Sequence, residues 1–263
     1  MIRINRRNRG MTLIELVVVV AILAVLALIV IPKLDGLQGN ANHAVGATSA
    51  SDTARYIQTY RTMKQRFPDG WDSLMDSSGM WNSWNPGTKT KGLHNQLGGS
   101  TGKLAEYTLT ANEVGSLNNA GIYTLYNVDT TLTNKRPSDM FTLSTPIAAG
   151  SKVAVVNSGS SGGINIINHI YRQNLSSGGT SGALPTGKVL VALGFGAQNG
   201  LIGSLMLEAP MYPNVDTSLV YGRNLALFEV STTSATTRAI FKGVVAADGD
   251  LLDDLSTYMS KDI

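Results

Sequence analysis

The sequence predicts an α+β protein: a long hydrophobic amino-terminal helix that continues as a stem, then a globular domain built on an antiparallel β-sheet. Three observations predict it. An apolar run extends from Met11 to Ile31, relieved only by Thr12 and Glu15. A stripe of apolar residues then advances in steps of three and four as far as Phe67, where Pro68 stops it. Beyond residue 68, short β-type segments alternate with Gly/Ser-rich turns.

The composition allows this plan. The chain has 263 residues, 43% hydrophobic and 15% charged, which suits a folded protein with one membrane segment rather than a disordered one. Cysteine is absent, which excludes a disulfide framework and a thiolate metal site. The net charge of +3 suggests nucleic acid only at first sight. Arg3, Arg6, Arg7 and Arg9 precede residue 11 with no acid among them, and without these four the formal charge falls to −1. The basic character belongs to a leader, residues 1–10, and no strong nucleic-acid signal remains.

The first element is the apolar helix, residues 11–32. Its apolar run at about 1.5 Å per residue gives roughly 31 Å, the thickness of a bilayer core. No polar face interrupts it from Leu16 to Ile31. The arginines on its amino-terminal side hold that end in the cytoplasm and send the remainder outward. An ordinary signal anchor, a signal peptide cut after the run, and a cut before the run after Gly10 all compete as readings. "PKLDGL" after the run lacks the small residues of a signal-peptidase site. Glu15 favours the cut after Gly10. A carboxylate in an apolar segment is costly, and an anchor gains nothing from it. Cleavage after Gly10 creates an α-amine on Met11, about one helical turn from Glu15. An ion pair with that amine, within one chain or between offset neighbours, compensates the acid and fixes a register.

"RGMTLIELVVVVAILAVLALIVIP" resembles the amino-terminal segment of type IV pilins and type II secretion pseudopilins. The basic leader, Gly10, Glu15 five residues beyond it, the apolar run and Pro32 carry the resemblance, which is strong from Arg6 to Leu34. Most members have Phe where this chain has Met11. The resemblance implies that a membrane prepilin peptidase cleaves after Gly10 and methylates the Met11 amine. It implies that Glu15 pairs with the methylated amine of a neighbouring subunit during assembly on an inner-membrane platform. The helix is then expected first to anchor the precursor, with its outer domain periplasmic, and later to pack against identical or homologous pilin subunits. Pro32, lacking an N–H, is expected to bend or loosen it.

The second element is the stem, residues 33–67. Gly36, Gly39 and Gly46 weaken it by about 1 kcal/mol each relative to Ala. Ala41, Ala44, Ala47, Ala50, Ala54, Ile57, Tyr60, Met63 and Phe67 form the stripe, with Asp52, Arg55, Arg61 and Arg66 mostly off it. The outer domain, residues 68–263, opens with "PDG", a turn, and "WDSLM", read as a short helix or loop packed on the stem. Thr110 and Glu113 make a capping box before a short helix. "GIYTLYNV", Lys152–Val156, Ile164–Tyr171, Lys188–Leu193, Leu225–Val230 and Ala239–Ala246 read as strands.

Motifs that imitate enzymes fail on inspection. "GGSTGKL" has Leu97 and Leu104 where a phosphate loop needs Gly and Ser or Thr. "GFGAQNG" has Asn199 at the third glycine of a dinucleotide fingerprint and reads as a turn between strands. Gly159, Ser161 and Gly163 match a nucleophile elbow, but "INIINHI" after them is β-branched rather than helical. His43, His94 and His169 are too scattered for zinc. No enzyme and no cofactor is expected, with one exception for a metal. Asp248, Asp250, Asp253 and Asp254 could offer hard oxygen ligands to Ca²⁺, and some pseudopilins carry calcium in a carboxy-terminal loop. The competing reading is a solvated turn before a capped terminal helix.

The functional expectation is a structural subunit of a type II secretion pseudopilus or a type IV pilus-like filament. The missing cysteine pair, common near the end of many type IV pilins, favours a pseudopilin or a divergent pilin. The alternative is a membrane-anchored ligand-binding module on a pilin-type anchor, which exposed aromatics at Trp81 and Trp84 would support.

Overall fold

The computed structural model describes residues 13–76, 97, 102–132, 134–171, 182–213 and 215–247; at 29, 30, 32 and 34–40 it describes backbone alone. The chain forms two compact units, residues 1–41 and 42–263. Helix α1, Leu13–Lys64, contributes to both. In the first unit its described part is a single helical segment. Among the described residues no helix is long and apolar enough to cross a membrane.

The second unit contains strands β1 (Trp71–Asp76) and β2 (Leu104–Thr108), helix α2 (Ala111–Ala120) and strand β3 (Thr124–Val128). A 3₁₀ turn, Pro137–Asp139, precedes β4 (Phe141–Pro146), β5 (Lys152–Val156) and helix α3 (Ser161–Ile170). Strands β6 (Lys188–Gly194), β7 (Leu225–Ser231) and β8 (Ile240–Val245) complete one sheet.

The sheet forks at β6. Strand β7 runs along one edge of β6, from Lys188↔Ser231 to Gly194↔Leu225, and β8 lies beyond it. The opposite edge of β6 is shared: β5 pairs over Val191 and Ala192, and β1 pairs at Gly194. Strand β2 extends the first branch, and β3 and β4 extend the second.

Both faces of the central strands are buried. Val189, Val191 and Leu193 of β6, with Ala226, Phe228 and Val230 of β7, pack against Ala50 and Ile57 of α1 and Leu117 and Ala120 of α2. The alternate residues Leu190, Ala192, Leu225 and Leu227 pack on the other face with Ile166 and Ile167 of α3. Covering on both sides explains why these strands read as continuous apolar runs rather than alternating ones.

Three sequence expectations are corrected. The sheet is mixed rather than purely antiparallel, because β1 pairs parallel with β3 from Trp71↔Leu125 to Asp76↔Val128. The connection that a parallel pair requires passes through β2 and α2. "WDSLMD" is β1, buried along its whole length, rather than a short helix or loop. "INIINHI" lies in α3 rather than in a strand. Ser160 caps that helix by accepting a hydrogen bond from the Gly163 N–H at 3.0 Å. The buried set Gly163, Ile166 and Ile167 then follows helical spacing, so burial overrides β-branched propensity.

Other expectations are met. Gly121 ends α2 in the left-handed region at φ 99°, and Glu113 accepts the Thr110 N–H at 2.6 Å as a capping box requires. The strands at 152–156, 188–194, 225–231 and 240–245 fall where the sequence placed them, within a residue at their ends, and the one at 124–128 starts three residues later than "GIYTLYNV".

The stem stripe is narrower than the pattern suggests. Gly46, Ala50, Thr53 and Ile57 are buried, Ala54 and Tyr60 are half-buried, and Ala41 and Met63 are exposed. Thr53 belongs to the buried line because Asn224 Nδ2 donates to Thr53 Oγ1 at 3.2 Å and to Ser49 Oγ at 3.1 Å. Gly46 is there for space. A Cβ at this position would lie 2.0 Å from Cε2 of Tyr212, whose ring packs against the helix backbone. Gly46→Leu is therefore expected to destabilise the second unit by about 1–3 kcal/mol, the range for overpacked cores. Denaturant unfolding measures this, and Tyr212→Ala should restore much of the loss in the double variant.

Candidate functional site

Two regions hold the residues that chemistry or assembly could use. The first is the amino-terminal stretch of α1. Leu13 is 81% exposed, Val19 48% and Leu28 75%, and the large apolar residues between them fall within that range. Consecutive residues of a helix point in every direction, so this surface is apolar all round. An uncovered apolar surface of this extent marks a membrane or protein contact. Glu15 lies in the first turn, where a carboxylate also suits the positive end of the helix. Gly10 and Met11 lie outside the described residues. The backbone is helical through position 32 although Pro32 offers no N–H to the turn before it.

The second region is a chain of buried polar groups in the outer unit, none of them anticipated from the sequence. Asp72 of β1 is fully buried, and Tyr221 donates its hydroxyl proton to Asp72 Oδ2 at 2.7 Å. Two glycines make room for the pair. A Cβ on Gly194 would lie 2.3 Å from the Tyr221 hydroxyl, and one on Gly196 would lie 2.0 Å from Asp72 Oδ1. "GFG" thus accommodates a buried acid, in a turn after β6 with no helix following, and not a pyrophosphate. Burial pushes the Asp72 carboxyl up to about 8; the Tyr221 hydrogen bond and the Arg223 charge oppose this, and Asp139 adds to it.

Arg223 stands beside this pair. It is buried, it bridges to Met211 through the backbone, and its Nη2 donates to Asp139 Oδ1 at 2.9 Å. Arg136 Nε donates to the other oxygen of Asp139, also at 2.9 Å. Glu229 of β7 forms a separate cluster, with Lys242 Nζ at 2.7 Å, Lys188 Nζ at 3.7 Å and the Tyr171 hydroxyl at 2.7 Å. Burial raises the Glu229 carboxyl, but these three partners outweigh it and hold the group below the usual carboxylate range. The available sequence signals were faint: an Asp inside "GWDSLM", an Arg-Asn pair before "LALF", and a Glu among apolar residues in "LALFEVS".

The enzyme-like motifs do not assemble. Gly102 and Lys103 lead into strand β2, whereas a phosphate loop leads into a helix. The elbow sequence does sit between a strand and a helix, contrary to the reason given for setting it aside. However, Ser161 is an exposed residue opening α3, with no left-handed strain. His169 lies eight positions along the same helix, about 12 Å away at 1.5 Å per residue. Asp248, Asp250, Asp253 and Asp254 lie outside the described residues, as do Trp81, Trp84 and His94. Among the described residues no group of three or more His, Cys, Asp or Glu is placed to hold a metal.

Residues 5–31 match the family described as the prokaryotic N-terminal methylation motif. No curated protein and no solved structure matches the chain. The match spans Gly10, Met11 and Glu15 together, and it identifies the segment as a prepilin segment of the type IV pilin and pseudopilin kind. Outside residues 5–31 no comparison assigns the chain to a family.

The raised Asp72 fixes a pH dependence. Its folded-state proton affinity exceeds that of the unfolded chain, so the folded state holds the extra proton between about pH 4 and pH 8. Stability is full below that window and is lost as pH rises through it. Asp72→Asn keeps an acceptor for Tyr221 and cannot ionise. It is expected to be more stable than the parent by a few kcal/mol above the window and to lose this component of the pH profile, as thermal unfolding against pH will measure.

Proposed function

We propose that this protein is a structural subunit, cleaved after Gly10 and methylated on Met11, that polymerises through its apolar helix into a type II secretion pseudopilus or type IV pilus-like filament. The observation that carries the reading is the all-round apolar and exposed surface from Leu13 to Leu28, joined to the methylation motif. Such a surface needs a cover, and the chain meets two in succession. Lipid covers the helix while the precursor is a single-pass protein of the inner membrane, its amino terminus cytoplasmic and its outer unit periplasmic. Helices of identical or homologous subunits cover it in the filament. The partners implied are a prepilin peptidase and an inner-membrane assembly platform.

Glu15 gives the assembly its register. In an apolar surround a carboxylate is stabilised by a cation at hydrogen-bond distance and penalised elsewhere. The methylated amine of Met11 on a neighbouring subunit is such a cation, and it exists only after cleavage. Maturation and polymerisation are thereby coupled.

Gly10→Ala is expected to block leader removal. Intact mass of the membrane-extracted protein will read this, and a normally matured product would refute the cleavage assignment. Glu15→Ala should be processed as the parent is but enter filaments at least about tenfold less well, the equivalent of one lost ion pair of about 1.4 kcal/mol or more. Filament yield after shearing measures it; an unchanged yield removes the pairing argument.

A further inference from the structure

The outer end of the stem carries cations without acids to match. Helix α1 ends at Lys64 and α2 at Ala120, and the turn between β7 and β8 meets them. Phe67 N–H donates to the Ala120 carbonyl at 2.8 Å, and Asn119 Nδ2 to the Ala235 carbonyl at 2.8 Å. Arg61, Lys64, Arg66 and Arg238 converge at this junction. Arg238 donates to the Gln65 carbonyl, Arg61 lies 5.0 Å over the Phe67 ring, and Arg66 packs its Cβ against Gly121. Lys64, Arg66 and Arg238 are exposed, and none of the four pairs with a carboxylate among the described residues.

The local negative charge does not balance them. Asp69 follows Arg66 closely, and its Oδ1 already accepts the N–H groups of Tyr123 and Thr124, both at 2.8 Å. The carboxy-terminal ends of α1 and α2 count for about half a negative charge each, so roughly two positive charges stay unmatched.

The opposite end of the same unit carries the reverse. Strand β8 starts beside this cluster and runs back along α1, bringing the chain to Ala247, which packs with Tyr212 and Ala47. From Ala47 to Lys64 the helix rises about 26 Å at 1.5 Å per residue. The segment that follows Ala247, Asp248 to Asp254, holds Asp248, Asp250, Asp253 and Asp254 and no cation. Fully extended, it covers about 23–25 Å, so only its last acids could approach the cluster of their own chain.

We propose that Arg61, Lys64, Arg66 and Arg238 form a docking surface for a second copy of this chain, which presents its acidic segment Asp248–Asp254 to them. The inference rests on the filament reading and adds a polar contact to the apolar one. Copies anchored in one membrane point the same way, which excludes an antiparallel pair. The basic end of one copy therefore meets the acidic segment of a copy displaced along the axis. Such a contact is heterologous: it leaves one basic and one acidic end free and repeats into an open array.

The experiment measures sheared filaments of the full chain, expressed in the native host. One variant reverses the basic end with Lys64→Glu, Arg66→Glu and Arg238→Glu. The other reverses the acidic segment with Asp248→Lys, Asp250→Lys, Asp253→Lys and Asp254→Lys. Each alone is expected to lower filament yield at least about fivefold. Co-expression of the two is expected to restore most of the yield, with both chains in the filaments, because each supplies the charge the other lacks. Rescue between chains shows that both variants fold and excludes pairing within one chain. A milder arm uses the absence of native cysteine: Lys64→Cys in one chain and Asp254→Cys in another should give a disulfide-linked pair of the two in oxidised filaments. If the parent forms filaments, a reversed variant that assembles like it, co-expression without rescue, or no linked pair would each overturn this contact alone. A parent that forms no filament overturns the filament reading and this contact with it.

Discussion

An apolar helix in water must be covered, and the organisation of this protein follows from how that requirement is met in each of its two units. From residue 42 to residue 64 the protein covers α1 itself. Ala50 and Ile57 face Val191, Leu193 and Phe228, and the polar side of the contact is closed by Asn224 with Ser49 and Thr53. Between Leu13 and Leu28 the large apolar residues are 48–81% exposed among the described residues. The first arrangement is a folded core. The second is a surface that needs lipid or another copy, and it coincides with the prokaryotic methylation motif at residues 5–31.

The sheet has its own version of the same requirement. Strands β6 and β7 are apolar on both sides, so each side needs a layer. One layer is α1 with α2; the other is α3 with the segments around Phe141 and Tyr221. Phe228 sits at the junction with Phe67 and Trp71, both at 5.3 Å in edge-to-face geometry. Two buried acids of the sheet have partners or space made for them. Glu229 is held by two lysines and a tyrosine, and Asp72 is protonated and lodged against Gly194 and Gly196. Arg223 has two buried donors, Nε and Nη1, without a partner among the described residues, and Asn168 and Asn199 each have one at Nδ2.

Much of this was legible in the sequence, for identifiable physical reasons. The amino-terminal segment was readable because its signals are local: a basic leader, one acid at a fixed distance from a glycine, and an apolar run. The later strands were readable because a two-sided core writes continuous apolar segments such as "KVLVAL" and "LALFEV". The errors arose where tertiary context decides. "INIINHI" has strand-type residues, yet Ser160 caps it and one side of it is buried, so it is a helix. "WDSLM" reads as a short helix or loop, yet it is strand β1, whose Asp72 and Asp76 are both buried. The parallel pairing of β1 with β3 was invisible because register and direction are set by the crossover, not by either strand. Gly46 looked like a helix weakness and is instead the space for Tyr212. Buried polar constellations join residues as distant as Asp72 and Tyr221, so no local pattern announces them.

The central claim is that the apolar helix becomes an assembly element only when cleavage creates a new amine on Met11, four positions before Glu15. Its most direct test is amino-terminal sequencing and intact-mass measurement of the mature protein recovered from the native host's membranes and sheared filaments. The account predicts a chain beginning at Met11, with its α-amine methylated, in both fractions. A chain that retains residues 1–10, or begins at any residue other than Met11, would contradict it.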